Sequence, residues 1–303
     1  MEFTEGVRFD SLHLSPEIIR AIEKRNIEVS TPVQAGCIPP MMDWQDVIAK
    51  APTGTGKTFA YGIPIVEHVD PEDESVQAVI LAPTRELAIQ ITDEIRDLAA
   101  FKPGVRTVCL YGGAPIGRQI DTLKKHPQIV VATPGRLSDH MKRRTVRVDT
   151  AQTVVLDEAD RMLDMGFIHD VKKILKWLPA KKQTMLFSAT MPPEIAALVN
   201  SLLHDPAQVA VDPVSSPVEA IRQSVYFVDK CNKTKLLALL IGQLEVKNAL
   251  VFTRTKHGAN KVAGDLVKAG ISAAAIHGNK SQTARVTALE DFKAGKTRVL
   301  VAT

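Results

Sequence analysis

The chain has 303 residues, 45% of them hydrophobic and 24% charged, with a net charge of +4, which suits two ordinary globular domains and excludes a disordered or fibrous chain. Three scattered cysteines, Cys37, Cys109 and Cys231, form no C-x-x-C pair, so neither a disulfide framework nor a zinc site is expected and a reducing cytoplasm is the default. No apolar run approaches 18 residues, and the acidic start is unlike a secretory signal, so neither a membrane span nor a leader is expected.

In chain order the pattern is a short apolar run, a small polar knot and a helical stretch, repeated. The runs lie at 46–51, 76–82, 106–111, 128–132, 153–157 and 183–188. Between the second and third, Leu87, Ile91, Ile95 and Leu98 fall on one face of a helix over 85–100. Strands alternating with helices predict a parallel sheet covered on both faces. Pro206, Pro213 and Pro217 with Ser215 and Ser216 mark a linker over 205–217. Beyond it the rhythm restarts, with strands expected at 224–228, 249–253, 272–277 and 298–302. The expected organisation is two α/β lobes, 1–212 and 213–303, the second short of a full sheet. The last run, "VLVAT", reads as an exposed strand edge that leaves the second lobe loose.

The knots "APTGTGKT", "APTRELA", "ATPGR", "LDEAD", "FSAT" and "FTRT" all follow the end of an apolar run. In open parallel sheets the ligand crevice lies outside the strand C-termini, so one long active surface is expected there. "APTGTGKT" (51–58) has the parts of a phosphate loop. Gly54 and Gly56 permit positive φ, so that backbone N–H groups, including those of Thr53 and Thr55, ring the phosphates. Lys57 adds a charge on the terminal phosphates, and the Thr58 hydroxyl suits Mg²⁺. An ordinary glycine turn is the alternative. Asp157 and Glu158 end a strongly apolar strand and need a cation there; acidic residues at a helix start are the alternative. With Mg²⁺ held through Thr58 and Asp157, Glu158 would activate a water. The basic clusters, such as Lys142, Arg143, Arg144 and Arg147, read alone as solvated surface. The eight histidines show no metal-ligand spacing.

"APTGTGKT", "PTRELA" (83–88), "TPGR" (133–136), "DEAD" (157–160) and "SAT" (188–190), in this order, resemble the DEAD-box ATP-dependent RNA helicases. The resemblance runs from Phe9 to Thr303, and the wording of 250–260 and 275–285 is most similar to the RhlE-type branch. It implies two RecA-like lobes and an enzyme that hydrolyses ATP with Mg²⁺ to separate short RNA duplexes without reading sequence. It implies that Gln34, in "STPVQ", reads the adenine edge and that Phe9 stacks near it. It implies RNA contacts from Pro83, Thr84, Arg85, Gly112, Gly113, Thr133, Pro134, Gly135 and Arg136 in the first lobe. In the second lobe it implies contacts from Arg254, Gln282, Arg285 and Thr303. Ser188 and Thr190, bonding the Asp160 side, would couple hydrolysis to strand separation, and His277 is expected to be structural. The family continues past "VLVAT" to an arginine-rich motif that reaches the γ-phosphate, and nothing in 1–303 matches it. The expectation is a fragment that binds nucleotide and RNA with little hydrolysis.

Overall fold

A computed structural model describes residues 5–211, 222–243 and 246–303. The chain divides into two compact units, Met1–Ile221 and Arg222–Thr303. The expected boundary at 212/213, with Pro213, Ser215, Ser216 and Pro217, lies outside the described residues.

The first unit is built on seven parallel strands: β1 (Val47–Lys50), β2 (Ala78–Leu81), β3 (Thr107–Leu110), β4 (Ile129–Ala132), β5 (Thr153–Leu156), β6 (Gln183–Ser188) and β7 (Ala207–Ala210). Their order is β3-β4-β2-β5-β6-β1-β7. Most are continuous apolar runs because both faces are covered. Along β2, Ala78 and Ile80 pack into one core while Val79 and Leu81 pack into the other, as a period of two requires. The first core receives helices Pro32–Met42, Lys57–His68 and Arg85–Leu98 through Ile38, Ile63 and Ile91. The second receives Pro134–Lys142, Ile168–Trp177 and Pro193–Leu202 through Leu137, Ile174 and Leu198.

Local chemistry starts these helices where the polar knots sit. Thr31 and Gln34 form a reciprocal capping box, and the Thr84 hydroxyl accepts the N–H of Leu87 at 3.2 Å. Thr133 occupies the N-cap position, with Pro134 after it, but its side chain makes no capping bond.

The linker reading needs correction at its start. Residues 207–210 form β7, pairing β1 from Val47↔Ala207 to Lys50↔Ala210. Asp46 fixes the approach: its carboxylate accepts the His204 N–H at 2.8 Å and its carbonyl the Ala207 N–H at 2.8 Å. The segment looked like a linker because only Val209 within it is buried, as befits an edge strand.

In the second unit β8 (Ala249–Phe252), β9 (Ala273–Ile276) and β10 (Val299–Ala302) form a parallel sheet of order β8-β10-β9. Two expectations fail here. Residues 224–228 form no strand, because no described strand lies beside them to complete a ladder; Phe227 is 97% exposed. And "VLVAT" is not an edge. β10 is bonded on both sides; Val299 and Val301 are buried in one cluster with Ile241 and Leu266, and Leu300 is buried on the opposite face. Its flanking strands complete the hydrogen-bond ladder that an edge would lack, and the exposed apolar groups, Leu250 and Phe252, lie on β8 instead. Among the described residues no helix is long and apolar enough to cross a membrane.

Candidate functional site

The strand order sorts the polar knots into two halves. Those of β1, β6 and β5 stand side by side, and so do those of β2, β4 and β3.

In the first half, residues 51–56 join β1 to helix Lys57–His68. Gly54 and Gly56 both have φ +87°, which other residues adopt only with strain. Gly56 also permits a close approach, since a Cβ there would lie 2.5 Å from Gln34 Nε2. The Gln34 amide donates to the Gly56 carbonyl at 3.0 Å and accepts the Thr31 N–H at 2.8 Å, tying "STPVQ" to the loop. Thr55 Oγ1 donates to the Pro52 carbonyl at 2.8 Å and stiffens the turn. Lys57 is buried, with Nζ 3.4 Å from the Ala51 carbonyl and 3.9 Å from Asp157 Oδ1. Thr58 follows it, half-buried, in the first helical turn. Phe9 is covered by the first core.

At the tip of β5, Asp157 is 2% exposed. Its Oδ1 accepts the Glu158 N–H at 2.9 Å and its Oδ2 accepts the Tyr61 hydroxyl at 3.0 Å. Burial pushes this carboxyl up to about 6, against the opposing pull of Lys57 and Tyr61. Glu158 sits at φ +50°, a left-handed conformation that costs a non-glycine residue about 1–3 kcal/mol and recurs at functional sites. Its carboxylate is held by Thr53 Oγ1 at 3.3 Å and by Arg161 at 3.1 Å.

Asp160 and β6 form a third cluster. The Asp160 carboxylate accepts the Thr190 N–H at 2.9 Å, the Thr190 hydroxyl at 2.8 Å and the Arg161 N–H at 3.0 Å. Partial burial alone would raise this carboxyl, but those donors hold it below the usual range. Ser188 Oγ accepts the Asp160 N–H at 3.2 Å and donates to the Thr190 carbonyl at 2.7 Å. These hydrogen bonds tie the two knots together.

In the other half, Arg85 lies against Gly112 and Gly113. Gly113 has φ +86°, and a Cβ there would stand 2.2 Å from the Arg85 guanidinium. Arg136 donates to the Ala114 carbonyl at 3.1 Å. Pro83, Thr84, Thr133, Pro134 and Gly135 complete the adjoining tips of β2 and β4. Beneath them His140 is fully buried, bonded to Thr145 Oγ1 at 2.8 Å and to Gln119 Oε1 at 3.1 Å, while Gln119 donates to the Tyr111 carbonyl at 2.9 Å. Burial lowers the His140 pKa, so a neutral ring braces this platform.

In the second unit Arg254 is exposed at the tip of β8, Arg285 donates to Gln282 at 3.3 Å, and Thr303 follows β10. Lys256 bonds Asn279 at 2.8 Å and His277 bonds Asn260 at 3.1 Å, joining the knots after β8 and β9. Arg298 is committed to the carbonyls of Val246 and Ile241 at 2.7 and 3.0 Å.

Tyr61, Arg161, Gln119 and His140 were not singled out by sequence reasoning. Tyr61 looks like any core aromatic, but it follows Lys57 by four residues, and that helical spacing was the available signal. Among the described residues no cluster of three His, Cys, Asp or Glu side chains could cage a metal. The donor set is a hard carboxylate and a hydroxyl, Asp157 and Thr58. That suits Mg²⁺, which binds through one or two carboxylates plus substrate phosphates.

Residues 31–198 match the model of the DEAD/DEAH box helicase family, and residues 232–303 match the helicase conserved C-terminal domain. The chain is 46% identical over 295 residues to the DEAD-box ATP-dependent RNA helicase CshA of Geobacillus kaustophilus, covering 97% of this chain and 63% of the relative. It is 44% identical over 297 residues to CshA of Bacillus subtilis, covering 98% and 60%. The chain thus spans less than two thirds of the length of these curated relatives. Among solved structures, S. cerevisiae Dbp5 bound to RNA and ADP BeF3 superposes with a TM-score of 0.86 at 28% identity, over 98% of this chain and 75% of that one. A DEAD box protein from the hyperthermophile Methanococcus jannaschii gives 0.65 at 39% identity, over 99% and 81%.

Proposed function

The chain belongs to the DEAD/DEAH box helicase family, and from that premise we propose that it is an ATP-dependent, cytoplasmic RNA helicase that separates short duplexes without reading their sequence. The observation that carries the reading is the sorting of the knots along one sheet edge, phosphate loop and carboxylates on β1, β6 and β5, Arg85 and Arg136 on β2 and β4. A nucleotide site and a polynucleotide track then share a rigid sheet, with the Asp160–Ser188–Thr190 cluster beside the carboxylates.

In this reading Gln34 selects adenine, the loop N–H groups and Lys57 hold the phosphates, and Thr58 and Asp157 would hold Mg²⁺. When bound, that ion supplies charge neutralisation on the phosphates. Glu158, preset in its left-handed conformation, takes the proton of the attacking water. Arg85, Arg136 and the 112–113 and 133–135 backbones grip phosphates, contacts that position a strand without reading bases. Residues 1–212 act as the ATP-binding lobe and 213–303 belong to the C-terminal lobe, in which Arg254, Gln282, Arg285 and Thr303 contact RNA. The RhlE-type branch remains part of the proposal, carried by the wording of 250–260 and 275–285; the relatives compared are named CshA.

A second reading is favoured by Arg298, whose guanidinium is spent on two backbone carbonyls and cannot serve as a finger on a γ-phosphate. Residues 1–303 would then bind nucleotide and RNA and hydrolyse little. Phosphate release from ATP with and without single-stranded RNA, and with DNA of the same sequence, tests both. RNA-specific acceleration supports the first reading. RNA and nucleotide binding without release supports the second, and binding of neither sinks both.

A further inference from the structure

Asp157 is a buried carboxylate whose two oxygens have different partners. Oδ1 takes the N–H of its own neighbour, Glu158, and faces Lys57 at 3.9 Å. Oδ2 takes the hydroxyl of Tyr61 at 3.0 Å. Tyr61 lies on the phosphate-loop helix one turn after Lys57, so both side chains stand on the same helical face toward the tip of β5. Its ring is fully buried and set edge-on against Phe187 of β6, with centroids 5.2 Å apart and planes at 63°. Packing fixes the ring, and the fixed ring fixes where the hydroxyl points.

A buried tyrosine needs a partner for its hydroxyl somewhere, and a carbonyl would serve. Here the hydroxyl meets Asp157, the carboxylate that holds a cation in the functional reading, and the Thr58 side chain also bonds that hydroxyl. A phenylalanine would fill the same space and pack on Phe187 equally well, so the hydroxyl is not needed to build the core. What it adds is a charge-assisted bond that fixes the rotation of the carboxylate. A carboxylate anchored by donors on both oxygens keeps its remaining lone pairs in fixed directions. Donors behind a metal ligand orient it, and losing one typically costs about 10–100-fold in metal affinity.

We propose that Tyr61 is a positioning residue for Asp157, holding its carboxylate in the orientation that accepts Mg²⁺ with a nucleotide; this rests on the functional reading above. Tyr61 does not touch the reacting atoms. It acts through Asp157, and its effect belongs to the metal-dependent part of nucleotide binding.

The test is calorimetric titration of ADP into wild type and Tyr61→Phe, first in EDTA and then across a magnesium series, with a thermal melt of each protein. Tyr61→Phe should bind ADP in EDTA as wild type does, which also reports that the loop is folded. The magnesium concentration giving half of the metal-dependent gain in affinity should rise about tenfold. A magnesium curve superimposed on that of wild type overturns the proposal, even if the melting temperature falls, because the hydroxyl would then serve stability alone. A Tyr61→Phe protein that also loses ADP binding in EDTA overturns it too, since the damage would not be confined to the metal. If wild type shows no magnesium-dependent binding of ADP, the functional reading fails first and the inference with it.

Discussion

Gly113→Ala probes the proposed polynucleotide half of the edge without changing the number of charged groups. Two costs follow from its geometry. At φ +86° an alanine carries backbone strain of about 1–3 kcal/mol. Its Cβ would also stand 2.2 Å from Nη1 and 2.8 Å from Cζ of Arg85, well inside ordinary contact. That clash is with the far end of a flexible side chain, so it is relieved by moving the guanidinium and adds little to the strain. In a unit of this size about 1 kcal/mol shifts the melting temperature by about 2–4 °C, so a fall of about 2–12 °C is expected. The displaced Arg85 should remove about one phosphate contact, which for single-stranded RNA lowers the slope of log K against log salt by about 0.7. The assay is fluorescence anisotropy with a labelled single strand over a salt series, beside thermal melts, with Arg85→Ala as reference. Gly113→Ala and Arg85→Ala should share the reduced slope, but only Gly113→Ala should carry the backbone strain. An unchanged slope in Gly113→Ala would refute the pairing of Arg85 with the 112–113 turn as an RNA contact.

Glu158→Gln should still bind ADP and magnesium through Lys57, Thr58 and Asp157, yet release phosphate from ATP at a rate at least about 10²-fold lower wherever wild type is active, as loss of a general base implies; a near-normal rate would mean another group activates the water. Asp157 titrates near 6, above an unfolded aspartate, so between about pH 4 and 6 the native state holds a proton there that the unfolded chain has released. This group therefore makes stability fall as pH rises through that window, while magnesium-dependent ADP binding, which needs the carboxylate, should rise over it. ADP titrations with and without magnesium from about pH 5 to 8 check the sign, and metal-dependent binding that weakens as pH rises would contradict it.

The placing of the loop after β1 and of the carboxylates at the tip of β5 was legible in the sequence, because each polar knot directly follows an unbroken apolar run. Six of the seven strands of the first sheet were legible because burial on both faces leaves unbroken apolar runs, as in "VQAVILA" and "TVVLD". What failed depended on partners distant in sequence. β7 has a polar, proline-flanked sequence and exists because Asp46 and β1 receive it. Residues 224–228 have better strand chemistry and no described ladder to join. β10 was mistaken for an edge because position along the chain says nothing about position in a sheet. Tyr61 shows only its helical spacing from Lys57 in the sequence, because its hydroxyl bonds a carboxylate 96 residues away.

The central claim is that the loop after β1, with Gln34 and the carboxylates of β5, is an adenine-nucleotide site. Equilibrium binding of ADP and GDP to residues 1–303 in magnesium, for wild type, Lys57→Ala and Gln34→Ala, tests it most directly. The account predicts saturable ADP binding that Lys57→Ala abolishes, and a preference for ADP over GDP that Gln34→Ala erases. ADP binding that survives Lys57→Ala unchanged, or no ADP binding by wild type, would contradict it.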